Sequence, residues 1–169
     1  MRVKAEHTAY HEAGHAVIGL VLGYDVRKAT IRPRYSYLGS AWISKKRNGS
    51  LGSTEVQAGS PDSVGHICID LAGPLAEQLV NPVPLDELIR CAAGSDWRSA
   101  ERHARRINRR QADILIDVLI EETRTLVEQH KDAIARVAAA LLEHETLMGE
   151  EIQRIAARFL GPLRLQRYS

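Results

Sequence analysis

Polar residues open the stretch from position 8 to position 22, and the apolar run Ala16-Val17-Ile18-Gly19-Leu20-Val21-Leu22 closes it. The pattern predicts one helix over residues 8–22, with Thr8 at its cap, good helix formers behind it and Gly23 as a left-handed stop. Two β-rich runs follow, residues 24–32 and 37–44, separated by Pro33-Arg34-Tyr35-Ser36, and they predict a hairpin or a pair of adjacent strands. Residues 45–63 carry three glycines, four serines and one proline with no sustained period, and read as a long loop. A second helix is predicted from about Ser60-Pro61-Asp62 to Val80, with a kink at Gly73-Pro74, before Asn81-Pro82-Val83-Pro84 interrupts the pattern.

Gly94-Ser95 precedes a third helix beginning around Asp96, and helical spacing continues from there to Phe159. Leu115, Leu119, Leu126, Ile134, Val137, Leu141, Ile152 and Ile155 recur near that spacing, as in an antiparallel pair or small bundle. The expected fold class is α+β, mainly α: one helix, a small β-sheet or hairpin, then a C-terminal helical bundle over residues 109–160. There is no internal repeat, and residues 1–169 are expected to form a single domain.

Composition narrows the function classes without choosing one. Hydrophobic residues at 44% and charged residues at 26% describe a globular chain. A formal charge of +2 is too small to impose a nucleic-acid or membrane partner by long-range attraction. Cys68 and Cys91 match no CxxC pair, so neither a disulfide framework nor a cysteine zinc cluster is indicated. No apolar run approaches the roughly 20 residues that span a bilayer, and the N-terminus lacks a signal-peptide pattern, so a cytoplasmic protein without membrane insertion is expected.

The sharpest chemical signal is His11-Glu12-Ala13-Gly14-His15. Histidines at i and i+4 project from one side of a helix, so both imidazoles reach one small cation, with Glu12 beside it. Zinc in hydrolytic sites takes three protein ligands and leaves one position to water, whose pKa it lowers to about 7. Five-residue motifs also arise by chance, but here the helix is strongly apolar, and buried imidazoles need partners.

The third ligand is not adjacent. Ile18 and Val21 stand where the extended HExxHxxGxxH pattern needs Gly and His, and no glutamate occurs between His15 and Glu55. The candidates are therefore Asp62, His66, Asp70, Glu77, Asp86, Glu87, Asp96 and His103. Asp96 is favoured because Ala100, His103 and Ile107 share its helical face while most of the neighbouring arginines lie on another. An acidic residue at a helix N-terminus is also favourable without any metal, and on spacing alone that reading stands beside the ligand reading.

These blocks together resemble the peptidase domain of the FtsH family of ATP-dependent zinc proteases. The matching text is Ala9-Tyr10-His11-Glu12-Ala13-Gly14-His15-Ala16, then Thr30-Ile31-Arg32-Pro33-Arg34 with Leu38-Gly39. Leu71-Ala72-Gly73 with Ala76-Glu77, Gly94-Ser95-Asp96 and Leu141-Leu142-Glu143-His144-Glu145-Thr146-Leu147 follow in family order. The resemblance implies Zn2+ held by His11, His15 and Asp96, Glu12 as the catalytic carboxylate, and a mainly helical fold with a small sheet. It also implies an extended unfolded-protein or peptide substrate held along a strand, for which residues 37–43 are the expected counterpart.

The resemblance further implies a ring-forming homo-oligomer and work alongside a AAA+ ATPase. The sequence departs from the family where its Gly-Gly-Arg run reads Ala72-Gly73-Pro74, and where the block around the aspartate is shortened and carries Trp97. No GxxxxGK[ST] run occurs in these residues, so any ATPase is expected as a separate chain.

Glu77 is a candidate for orienting a ligand imidazole. Tyr10, His66 and His103 are weaker candidates for a second donor. The arginines from Arg98 to Arg110 lack the aromatic interleaving of a nucleic-acid surface, so no nucleic acid is expected. The competing function is a metal-binding but proteolytically silent interaction module, against which the presence of Glu12 argues.

Overall fold

The computed structural model describes residues 2–32, 36–38, 41–43, 53–56, 64–91 and 94–160. Its first element is the helix α1, Arg2–Val21. It starts six residues before the expected cap, because Val3-Lys4-Ala5-Glu6 contains no helix breaker. Thr8 lies inside the helix, where its hydroxyl donates to the Lys4 carbonyl at 3.0 Å instead of capping. The other end is as expected: Gly23 has φ 81°, its N–H bonds the Leu20 carbonyl, and Tyr24 N–H bonds that of Gly19. That pair of bonds is the left-handed helix stop that glycine favours.

Residues 11–19 of α1 are all buried, so the motif helix is the centre of the molecule rather than a surface helix. It packs on α2, Val64–Glu77, on α6, Lys131–His144, and on α7, Gly149–Leu160. The approach to α2 is close because position 14 has no side chain. A Cβ there would stand 2.5 Å from the Ala72 carbonyl oxygen and the Ala76 Cβ.

Two sheets form among the described residues. β1, Val26–Thr30, is the middle strand of the first, with β4, Ser53–Val56, on one side and β5, Thr146–Met148, on the other, both antiparallel. β2, Ser36–Leu38, and β3, Ala41–Ile43, pair only with each other. The expected pairing of runs 24–32 and 37–44 is therefore replaced. The partners of β1 come from the glycine-rich stretch and from the turn between α6 and α7.

That turn is possible because Glu145 takes φ 59° at the end of α6, and Thr30 then bonds both the Glu145 carbonyl, at 3.0 Å, and the Thr146 hydroxyl, at 2.8 Å. The expected start of the second helix at residues 60–63 lies outside the described residues. Its end falls at Glu77 instead of Val80, where the chain tightens into short bonds from Leu79 to Ala76 and from Val80 to Glu77. Pro74 sits inside this helix.

A short helix, α3, Leu85–Cys91, was not expected from the pattern; α4, Gly94–Ile107, begins where the Gly-Ser-Asp signal puts it. The C-terminal helices are α5, Ala112–Gln129, together with α6 and α7, and they turn Ile116, Leu119, Val127, Ile134, Val137, Leu141 and Ile152 into the core. α5 lies chiefly against α2 and α4 and α6 against α1, while α7 packs mainly on α6. No helix among the described residues is long and apolar enough to cross a membrane.

Candidate metal centre

α1 supplies His11 and His15 one turn apart, and the first turn of α4 brings Asp96 to them. His11 Nε2 stands 3.0 Å from Asp96 Oδ2 and 3.2 Å from His15 Nε2, and His15 Nε2 is 3.7 Å from the same Asp96 oxygen. Three lone-pair atoms thus converge in one small triangle. With ligand bonds of about 2.0 to 2.1 Å, the ligand edges of a tetrahedral zinc site are roughly 3.3 Å, which these three separations bracket.

The donor set fits a cation, and so does the backbone beside it. A Cβ on Gly73 would collide with His15 Nε2 and stand 2.8 Å from His11 Nε2, so the missing side chain leaves both nitrogens room. Among the described residues this is the one group of three potential ligands that lie together.

α2 runs behind the two imidazoles and fixes both from positions eight residues apart, with Gly73 midway between them. His15 Nδ1 donates to the Ile69 carbonyl at 2.7 Å, Gly73 leaves the gap, and His11 Nδ1 donates to Glu77 Oε2 at 3.3 Å. Asn81 Nδ2 holds the other Glu77 oxygen at 3.2 Å. With both Nδ1 atoms occupied as donors, the Nε2 atoms are the ones turned to the shared space.

The charges follow from this geometry. Burial alone would depress the His11 pKa, but its bonds to Asp96 and Glu77 outweigh burial and push it up to about 10. His15 is likewise raised, against burial, by Asp96. Burial would raise Asp96, yet the two histidines hold it well below the usual carboxylate range. Two buried imidazoles and a carboxylate thus share protons among themselves, and a divalent ion can take the place of those protons.

Glu12, 2% exposed, has its carboxyl raised by burial, with His11, His15 and Thr54 pulling the other way. Thr54 of β4 is the contact missing from the sequence reading: its Oγ1 is 2.8 Å from Glu12 Oε2 and 3.0 Å from the Glu12 carbonyl oxygen. The only signal for it was a four-residue Ser-Thr-Glu-Val run within a glycine-rich stretch.

Of the other candidates, Glu77 reaches the site through His11. His66 and His103 stack on each other, with ring centroids 5.3 Å apart, between α2 and α4. Asp70 bonds Ser99 across the same seam, Asp86 and Glu87 lie on α3, and Asp62 is outside the described residues. The arginines of α4 at 98, 102, 105 and 106 are exposed.

A family model described as Peptidase family M41 matches residues 2–107. The chain is 26% identical over 186 residues to the ATP-dependent zinc metalloprotease FtsH of Protochlamydia amoebophila, covering 89% of this chain and 20% of that protein. It is 29% identical over 181 residues to the FtsH of Opitutus terrae, covering 89% and 28%. The ATP-dependent zinc metalloprotease FTSH 11, chloroplastic/mitochondrial, of Arabidopsis thaliana is 30% identical over 169 residues, covering 88% and 21%. The chain spans less than a third of the length of these curated relatives.

Proposed function

Because the chain belongs to peptidase family M41, we propose that it is a zinc-dependent metalloendopeptidase that hydrolyses peptide bonds in unfolded proteins or peptides. His11, His15 and Asp96 would hold the zinc, and Glu12 would act as general base. The observation that carries this reading is the convergence of three ligand atoms at 3.0, 3.2 and 3.7 Å, with a buried carboxylate on the residue next to His11.

The chemistry that zinc supplies when bound is Lewis acidity, which acidifies water and polarises a peptide carbonyl. Glu12 takes the proton of the attacking water and returns it to the leaving amine, and its raised pKa suits a group that must both accept and give a proton. Glu77 keeps the His11 ring turned so that Nε2 faces the site. The relatives are named ATP-dependent; these residues contain no nucleotide-binding loop, so ATP-driven delivery would come from a AAA+ ATPase outside them. A homo-oligomer follows from the family resemblance, and the buried free thiol of Cys68 suits a reducing, cytoplasmic setting.

The test is degradation of a permanently unfolded protein with zinc and no ATP. Wild type should cleave it. Glu12→Gln should keep its zinc and lose at least ~100-fold in rate, and a chelated sample should be inert. Full zinc occupancy in the wild type without cleavage would overturn the peptidase reading in favour of a silent metal-binding module.

A further inference from the structure

We infer that Thr54 is a positioning residue for Glu12, holding the carboxylate beside the metal site as a base and keeping it from entering the site as a fourth ligand. This rests on the peptidase reading above and extends it to a residue on a different element.

The hydroxyl of Thr54 has one proton and two oxygens of Glu12 within reach, the side-chain Oε2 at 2.8 Å and the main-chain carbonyl at 3.0 Å. The carboxylate is the stronger acceptor and the nearer one, so the proton lies chiefly towards Oε2, in a charge-assisted bond. Oε1 is then left for the proton of water. Without that bond, a buried carboxylate on the residue next to His11 would be drawn to a cation held by His11, His15 and Asp96. A carboxylate that follows this attraction occupies the coordination position that hydrolysis needs for water.

The hydroxyl is held by a sheet, independently of the helices that carry the ligands. Thr54 pairs with Ala29 of β1, and Ala29 pairs on its other side with Leu147 of β5. Both neighbours in that rung are buried, with Ala29 at 0% and Leu147 at 1% exposure. The helices α1 and α4 bring the ligand atoms, α2 turns the histidines, and the sheet fixes the base.

Two variants separate the hydroxyl from its packing. Thr54→Val keeps the shape and suits a strand, whereas Thr54→Ser keeps the hydroxyl. With zinc at one per chain throughout, Thr54→Val should lower kcat for the unfolded protein by about 10- to 100-fold and leave KM within about twofold. Thr54→Ser should stay within about threefold of wild type. Wild-type kcat in Thr54→Val, or equal losses in both variants, would overturn the assignment.

A second readout needs no turnover. Acetohydroxamate binding to the zinc-loaded chain, followed by calorimetry, draws on a base that can accept the ligand's proton. Thr54→Val and Glu12→Gln should each weaken it by about tenfold and Thr54→Ser should not. Binding that depends on the hydroxyl in a wild type that never cleaves sinks the peptidase reading and leaves the placement of Thr54 standing. Cleavage with both readouts untouched in Thr54→Val sinks the placement alone, and a wild type with neither cleavage nor binding sinks both.

Discussion

At position 73 a hydrogen atom in place of a side chain is what separates a crowded pair of imidazoles from a usable site. The rings cannot yield to a methyl group, because His15 is tied to the Ile69 carbonyl and His11 to Glu77. Gly73→Ala should therefore lower zinc affinity by at least ~10- to 100-fold, the range seen when the groups supporting a ligand are disturbed. Helix content should not fall, since alanine is the better helix former by about 1 kcal/mol. Competition with a chromophoric chelator measures the first and far-ultraviolet circular dichroism the second; unchanged affinity would mean that the Nε2 atoms are not the ligand atoms. His11, Glu12 and His15 were legible from sequence because i, i+4 geometry is local. Asp96 was legible as one of two readings because a helix face can be counted. Thr54 was not, because its role depends on the register of β4 against β1 and on how that sheet meets α1, neither of which leaves a local trace.

The seam between α2 and α4 shows what two elements do that neither does alone. His66 and Asp70 lie one turn apart on α2, facing His103 and Ser99 on α4, and the seam buries Asp70 Oδ2 and His103 Nδ1 without hydrogen-bond partners among the described residues. Burial pushes Asp70 from an ordinary 3.8 up to about 7, against the pull of His15, Ser99 and Arg102. The folded chain therefore holds this proton more tightly than the unfolded one. Stability is lost as pH rises from about 4 through about 7, and it stays lost above that. Asp70→Asn should leave stability unchanged at pH 4 and add roughly 1 to 2 kcal/mol at pH 8. Denaturant titration of both chains at the two pH values measures this; an equal difference at both would place the effect in packing rather than charge.

The elements themselves were unevenly legible. Long periodic helices and the Gly23 stop could be read, whereas α3 is too short for periodicity to mark. The strands near the N-terminus were recognisable as strands. Their partners were not, because β5 is an interruption of three residues between helices and β4 lies in a stretch whose composition reads as loop.

Across the whole molecule, the candidate ligands join the N-terminal helix to the first turn of α4, closing a loop of some eighty residues around α2. A cation bound only by the folded chain stabilises it by an amount set by its concentration over its dissociation constant, about 2.7 kcal/mol at a hundredfold ratio. For a chain of this size each kcal/mol moves Tm by roughly 2 to 4 °C, so chelation should lower Tm by about 5 to 10 °C. Glu12→Gln should show the same drop, because the base is not needed to hold the ion, whereas His15→Ala should show almost none. The drop should also widen with pH. In the metal-free chain the proton on His11 contributes stability that is fully present below pH 6.5 and fades as pH rises through about 10, while that same proton must leave before a cation can bind. Raising pH from 6 to 8 therefore weakens the metal-free form and strengthens binding together. Thermal unfolding with and without chelator at both pH values tests this. A gap that shrinks with pH would mean that the imidazoles are not the groups giving up protons to the ion.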